Sequence, residues 1–321
     1  MAILTALSFE HASELLASYD LELSELSPLS AGSVNSNFFV QAKRRNGESI
    51  SLFARIFEEQ ESDGAEFELL LNERLYQSDI LVAAPLRKMD GGLYCLHNNK
   101  PFAVYRRLSG EVSCQARVNA ARCFAVGRSL AQVHVADLRG LALNPSRFGF
   151  EQIAERLERV RASQREDLVA AVERLTSDSQ RIFAARDSGL PLGLIHGDLF
   201  RDNVLLNGNE VSGLLDFESA SLGPYVYDLM VAVLAWCYGA EFDVDLVRAM
   251  ISGYETMRPL SKRERDALVT EGCVACIRFA TTRLTDFSLR VPPGDVPGRD
   301  YGRFFARQDA LESGVLERAL T

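Results

Sequence analysis

Lysine is scarce in this chain. Lys43, Lys88, Lys100 and Lys262 are the only lysines among 35 basic residues, and 44 acidic residues bring the net charge to −9. Such a balance repels polyphosphate backbones, whose binding needs clustered cations to release counterions, so nucleic acid is not an expected partner. Four scattered lysines also cannot form a basic tail or a membrane-binding stripe. No apolar run approaches the roughly 20 residues of a membrane helix. Residues 1–19 lack a positive start and place Glu10, His11 and Glu14 within apolar spacing, which predicts an amphipathic helix rather than a signal peptide. Cys95, Cys114, Cys123, Cys237, Cys273 and Cys276 lie scattered in apolar or helical surroundings, which predicts buried thiols in a reducing, cytoplasmic setting. Cys273 and Cys276 have half of a zinc spacing, but no second pair or nearby histidine completes it. Neither G-x-x-x-x-G-K-[ST] nor G-x-S-x-G occurs, which excludes a Walker-type NTPase and a nucleophile-elbow hydrolase.

What is present is enough for two lobes: 321 residues, 47% of them hydrophobic. Residues 37–42, 49–57, 92–97 and 102–105 read as short strands, with turn signals at Asn46-Gly47 and Asp90-Gly91-Gly92. Between them, residues 65–77 repeat Phe67, Leu70, Leu71 and Leu75 at helical spacing. Beyond Gly110 the pattern turns helical, over 117–135, 150–176, 177–187, 225–238, 244–257 and 262–290, with a Pro- and Gly-rich loop at 290–299 before a last helix of about a dozen residues. The expected fold class is α+β: a small N-terminal antiparallel β lobe with one helix over residues 1–105, and a larger, mainly α lobe over 106–321.

Residues 193–217 interrupt the helical half with short apolar runs and polar turns. They contain His196-Gly197-Asp198-Leu199-Phe200-Arg201-Asp202-Asn203 and, after a hairpin, Asp216-Phe217-Glu218. Phosphoryl transfer needs positioning more than covalent chemistry: one carboxylate to receive the hydroxyl proton, and a second carboxylate with an amide to hold Mg²⁺. Asp198, Asp216 and Asn203 supply those groups. A lone Asp or Asn in a turn usually bonds its own backbone, but turn chemistry explains neither the five-residue step nor the second carboxylate.

This segment resembles the catalytic core of the aminoglycoside phosphotransferase and choline kinase superfamily, in which H-G-D-x-x-x-x-N precedes a D-F-x or D-x-E motif. The fold implied is bilobal and protein-kinase-like. The resemblance implies Asp198 as catalytic base, Asn203 and Asp216 as Mg²⁺ ligands, His196 as a loop-ordering residue, and ATP as phosphoryl donor. Bacterial homoserine kinases of the superfamily are similar over a longer stretch: Asn35-Ser36-Asn37, His196 to Val204, Tyr227-Asp228-Leu229, Ala235-Trp236-Cys237, Ser252-Gly253-Tyr254, Arg258-Pro259-Leu260, Arg278-Phe279 and Thr282-Arg283-Leu284. Homoserine is therefore the leading acceptor, with choline, methylthioribose or an aminoglycoside as alternatives; a catalytically silent pseudokinase would be expected to lack part of the Asp198, Asn203 and Asp216 set.

The nucleotide-contacting residues implied are Gly32, Ser33, Asn35, Ser36 and Asn37 of the glycine loop, the backbone of Arg106 and Leu108 at the hinge, and a strand cation paired with a helix acid. Where the superfamily has a lysine, this strand has Arg55, either a phosphate ligand or an exposed strand residue; Glu66 and Glu68 are both candidate partners. Glu218 is either a second metal carboxylate or a surface acid. A zwitterionic acceptor needs a cation and an acid near Asp198, for which Arg201, Arg283 and Asp286 are candidates, the last two spaced to form an intrahelical pair instead. Asp228 is expected to brace the catalytic loop, and His134 to be a core histidine.

Overall fold

The computed structural model describes residues 5–29, 35–292 and 299–320. The chain divides into two compact units: Met1–Gly110 with Ala136–Leu141 and Ser212–Glu218, and Glu111–Val135 with Ala142–Val211 and Ser219–Thr321.

In the first unit, α1 (Phe9–Ala17) starts at Ser8, whose hydroxyl accepts from His11 N–H. It is followed by β1 (Leu21–Leu29), β2 (Ser36–Arg44), β3 (Ser49–Ile56), α2 (Ser62–Gln77), β4 (Tyr94–His97) and β5 (Lys100–Arg106). The strands form one antiparallel sheet in the order β1-β2-β3-β5-β4. Side chains alternate across a strand, so the apolar run on β5 serves both faces. Phe102 and Val104 pack with Ala12 and Leu16 of α1, while Ala103 and Tyr105 pack with Ala65 and Leu69 of α2. A sheet apolar on both sides needs two helical covers; α1 lies within the amphipathic helix expected over 1–19, and α2 is the helix expected between the strands. The expected strands began too late. In β1, Leu21 and Leu23 alternate with Glu22, but a bulge between Leu23 and Glu25 breaks the period, and Pro28 lies on an edge strand.

The second unit contains β6 (Glu111–Val112), α3 (Ala120–His134), α4 (Phe150–Ala162), α5 (Val169–Ala184), β7 (Leu192–Ile195), β8 (Val204–Asn207) and the start of β9 (Glu210–Leu214), then β10 (Ser221–Pro224), α6 (Tyr225–Trp236), α7 (Val244–Glu255), α8 (Lys262–Asp286), α9 (Gly302–Glu312) and α10 (Glu317–Leu320). β10 pairs antiparallel with β7, and β6 with β8. Helix α6 is buried on nearly every side, and α8 starts with a Ser261–Glu264 capping box. The α3–α7 contact uses glycine on both helices: a Cβ on Gly127 would fall 2.1 Å from the Met250 carbonyl oxygen, and one on Gly253 2.0 Å from that of Phe124.

The continuous helix expected over 150–176 is broken. Ser163 Oγ bonds the Val160 carbonyl, Gln164 takes a left-handed φ of 55°, and Arg165 turns its guanidinium to the Val291 carbonyl oxygen at 2.7 Å. All six cysteines are free thiols, but Cys114 is exposed and Cys95 half-buried, contrary to the expectation that all are buried. Among the described residues no group of three His, Cys, Asp or Glu could hold a metal, and no helix is long and apolar enough to cross a membrane.

Candidate active site

The loop from His196 to Asn203 leaves the end of β7 and is held from below by Asp228, in the first turn of α6. The fully buried Asp228 carboxylate accepts from His196 N–H at 2.6 Å, Gly197 N–H at 2.7 Å and His134 Nε2 at 3.0 Å. Burial pushes His134 below the ordinary histidine pKa, with the Asp228 bond opposing. Burial would raise Asp228, but its bonds to His134 and the loop amides keep it below the usual carboxylate range. The consistent state is an ionised Asp228 and a neutral His134 carrying its proton on Nε2. His134 Nδ1 then accepts from Tyr254 Oη at 2.7 Å, and Arg258 Nη1 donates to the same hydroxyl at 3.2 Å. Gly197 is needed for its geometry: φ is +75°, and a Cβ would stand 2.9 Å from the Ser219 carbonyl oxygen.

Asp198 leaves this brace with its side chain 34% exposed, open enough to meet a ligand. Asn203 Nδ2 donates to the Asp198 carbonyl oxygen at 2.8 Å and reaches its Oδ2 at 3.4 Å, so the two loop residues lie together. Trp236 Nε1 fixes the intervening Leu199 carbonyl at 3.1 Å. Arg278 of α8 donates from Nη1 to the Gly197 carbonyl oxygen at 3.1 Å and to Asp198 Oδ1 at 3.3 Å, and from Nη2 to Ser219 Oγ at 3.3 Å. Its guanidinium lies 4.2 Å from the Phe148 ring and 3.8 Å from the Phe279 ring.

In the first unit, Arg55 Nη1 donates to Glu68 Oε1 at 3.0 Å and its Nε to Asn37 Oδ1 at 3.3 Å; Gln60 Nε2 holds the other Glu68 oxygen at 2.9 Å. Of the two acids left open by the sequence, Glu68 is the partner, and Glu66 is exposed. Burial pushes Glu68 upward, with Arg55 opposing and Asp216 adding to the rise. Asn35 Oδ1 accepts from Glu58 N–H at 3.1 Å, and Ser36 Oγ bonds the Glu58 carboxylate. Gly32 and Ser33 lie outside the described residues. At the expected hinge, Arg106 N–H is bonded to the Ala84 carbonyl oxygen at 2.9 Å, and Leu108 is half-buried. Asp216 belongs to this unit through a segment in which Leu214 N–H bonds the Leu81 carbonyl oxygen at 2.7 Å. It has a left-handed φ of 63°, and its buried Oδ1 has no hydrogen-bond partner among the described residues.

Residues 25–260 match the model of a phosphotransferase enzyme family. The chain belongs to this family. Curated relatives include a homoserine kinase of Neisseria meningitidis serogroup B, 34% identical over 89% of this chain and 92% of its own, and one of Methylocella silvestris, 32% identical over 98% and 100%. Among solved structures, an amicoumacin kinase in complex with AMP-PNP, Ca²⁺ and Ami superposes with a TM-score of 0.66 at 16% identity, covering 96% of this chain and 92% of that one. An ethanolamine kinase of Plasmodium vivax does so at 0.64 and 14%, covering 94% and 84%. The fold is thus the bilobal, protein-kinase-like one, and this family member is an ATP-dependent phosphotransferase acting on a hydroxyl.

The sequence reading of this phosphotransferase did not single out Arg278 as a site residue. The signal that marks it is the Arg278-Phe279 similarity to bacterial homoserine kinases, which attaches no role to the arginine. Arg283 and Asp286 do not pair with each other. Arg283 Nη1 bonds the Asp300 carbonyl oxygen at 2.8 Å, whereas Asp286 Oδ1 takes Arg156 Nη1 at 3.1 Å. Arg201 Nη1 bonds Gln115 Oε1 at 2.6 Å and the Ala235 carbonyl.

Proposed function

We propose that this phosphotransferase moves the γ-phosphoryl group of ATP onto the hydroxyl of L-homoserine, in the cytoplasm, with Mg²⁺ as the metal. The observation behind the acceptor is identity to curated homoserine kinases over most of both chains. Asp198 is the base: the acceptor oxygen bonds to the γ-phosphorus, the bond from that phosphorus to the bridging oxygen of ADP breaks, and the hydroxyl proton passes to the Asp198 carboxylate. Arg278 sets the rotamer of that carboxylate by sharing its charge with Oδ1.

The residues present fit Mg²⁺. Among the described residues Asp216 Oδ1 is a buried carboxylate oxygen without a hydrogen-bond partner, and Asn203, whose Nδ2 is donated to Asp198, has no bond at Oδ1; each is a hard oxygen donor. When bound, the ion supplies charge neutralisation on the transferring phosphates. Glu218, two residues after Asp216, is the candidate second carboxylate. The nucleotide-binding lobe is residues 1–105: the 32–37 loop gives amides and small polar groups to the phosphates, Arg55 held by Glu68 grips them with its fork, and the backbone at Arg106 and Leu108 takes adenine. Residues 106–321 form the catalytic and acceptor-binding lobe, with Arg201, Arg283 and Asp286 as acceptor contacts.

ADP release by the purified chain with Mg-ATP, assayed separately with L-homoserine, choline, methylthioribose and an aminoglycoside, tests this reading. Turnover on homoserine alone is expected. Turnover on one of the others keeps the phosphotransferase and removes the acceptor.

A further inference from the structure

In the second unit, α8, α9 and the catalytic loop gather arginines around one aromatic platform. Phe304 is fully buried and stacks on Phe279 at 5.1 Å, and Phe200 of the catalytic loop meets Phe279 edge-on at 4.8 Å. The Arg283 guanidinium lies 4.4 Å from the Phe304 ring centre and that of Arg307 5.0 Å, with Arg307 also 4.3 Å from Tyr238. Backbone carbonyls hold these cations by one edge. Arg283 uses Nη1 on Asp300, and Arg307 uses Nε on Leu234 at 3.0 Å and Nη1 on Arg303 at 2.8 Å. Among the described residues Nη2 of Arg201, Arg283 and Arg307 has no partner, and none of Arg201, Arg283, Arg303 and Arg307 makes an ion pair. Arg299 reaches Asp202 at 4.0 Å, and Asp300 is the other acid beside the group. Burial, followed by the like charges of Arg307, Arg299 and Arg303, pulls the Arg283 pKa down to about 10.

Partly buried guanidinium groups without a counter-charge carry a desolvation cost that an anion offsets, and their forked edges match a carboxylate. The platform is also continuous with the base: Phe279 adjoins Arg278, which holds Asp198, and Arg201 follows Asp198 by three residues.

We infer that the α8–α9 arginine cluster, with Arg283 as its centre, seats the carboxylate of the acceptor and restricts this phosphotransferase to alcohols that carry an anionic group. This rests on the proposed role of Asp198 and deepens the acceptor reading. A cationic alcohol would meet like charge at the cluster, which works against it as much as the new contact favours an acid.

The test is steady-state kinetics of the full chain, Arg283→Gln, Arg307→Gln and Arg283→Lys with L-homoserine and with homoserinol, in which CH₂OH replaces the carboxylate. Losing a charge-assisted bond should raise KM for homoserine by about tenfold or more in both glutamine variants, with partial rescue by lysine. KM for ATP should stay at the parental value, and homoserinol, an ammonium-bearing alcohol without the carboxylate, should be a poor substrate of the parent whose KM does not rise in the glutamine variants. An unchanged homoserine KM in both glutamine variants, or an equal rise with homoserinol, overturns the inference. Parental turnover of a different anionic alcohol removes homoserine and leaves the cluster its role, whereas parental turnover of choline removes both.

Discussion

Arg278 Nη1 lies 3.3 Å from Asp198 Oδ1, and the arginine that makes this contact is almost wholly buried between two phenylalanine rings. A cation so enclosed cannot swing to solvent, so it holds the carboxylate in one orientation. Lysine lacks the fork needed to reach Gly197, Asp198 and Ser219 together. Arg278→Lys is therefore expected to lower kcat by about tenfold or more while KM for ATP stays the same, as read by steady-state kinetics. Equal loss of kcat and of ATP affinity would make Arg278 a packing residue only.

Asp198→Asn removes the proton acceptor and keeps the shape. Turnover should fall on the order of 10² to 10⁴, with nucleotide affinity preserved in calorimetry. Parental turnover would place the base elsewhere.

Asp216→Asn replaces the carboxylate whose buried Oδ1 has no hydrogen-bond partner among the described residues by an amide. A Mg²⁺ titration of activity should then need a much higher metal concentration for half-maximal rate. An unaltered titration curve would remove Asp216 from the metal site.

Glu68→Gln leaves Arg55 without its counter-charge beside the sheet. Loss of one partner of a buried pair costs about 3 kcal/mol, read as a lower urea midpoint. Glu66→Gln, at an exposed position of the same helix, should change stability by no more than about 0.5 kcal/mol. Similar losses in the two variants would argue against the Arg55–Glu68 pair.

His134 gives a pH signature. Its folded pKa lies below the unfolded value of about 6.5, so the unfolded chain binds more protons, and stability falls as pH drops below that value. The slope is at most about 1.4 kcal/mol per pH unit. Asp228, with its folded pKa also lowered, adds a loss only below about pH 4. The groups facing the ring are Asp228 and Tyr225 of α6, Tyr254 of α7, Arg258 after it and His196 of the loop. Urea unfolding between pH 7.5 and 5, values set by the roughly 6.5 reference, should show a slope in the parent that His134→Gln lacks. Parallel curves would rule out His134 as its source.

The one-dimensional pattern carried the strands at Phe38 and Leu52, the α2 helix and the His196-to-Asn203 spacing, because periodicity and turn chemistry are local. It could not place β1 beyond its bulge, nor the stop at Gln164, since one left-handed residue there is selected by Arg165 reaching a distant carbonyl.

The sequence by itself determined that a carboxylate, an amide and a second carboxylate stand at kinase-like intervals, since covalent spacing is written along the chain. Only tertiary structure decided that Glu68 and not Glu66 meets Arg55, that Arg283 turns from Asp286 to the Asp300 carbonyl, and that Arg278 is spent on Asp198. Those choices depend on which buried charges find partners across elements far apart in sequence, and the cost of leaving a charge unpaired is set by three-dimensional packing.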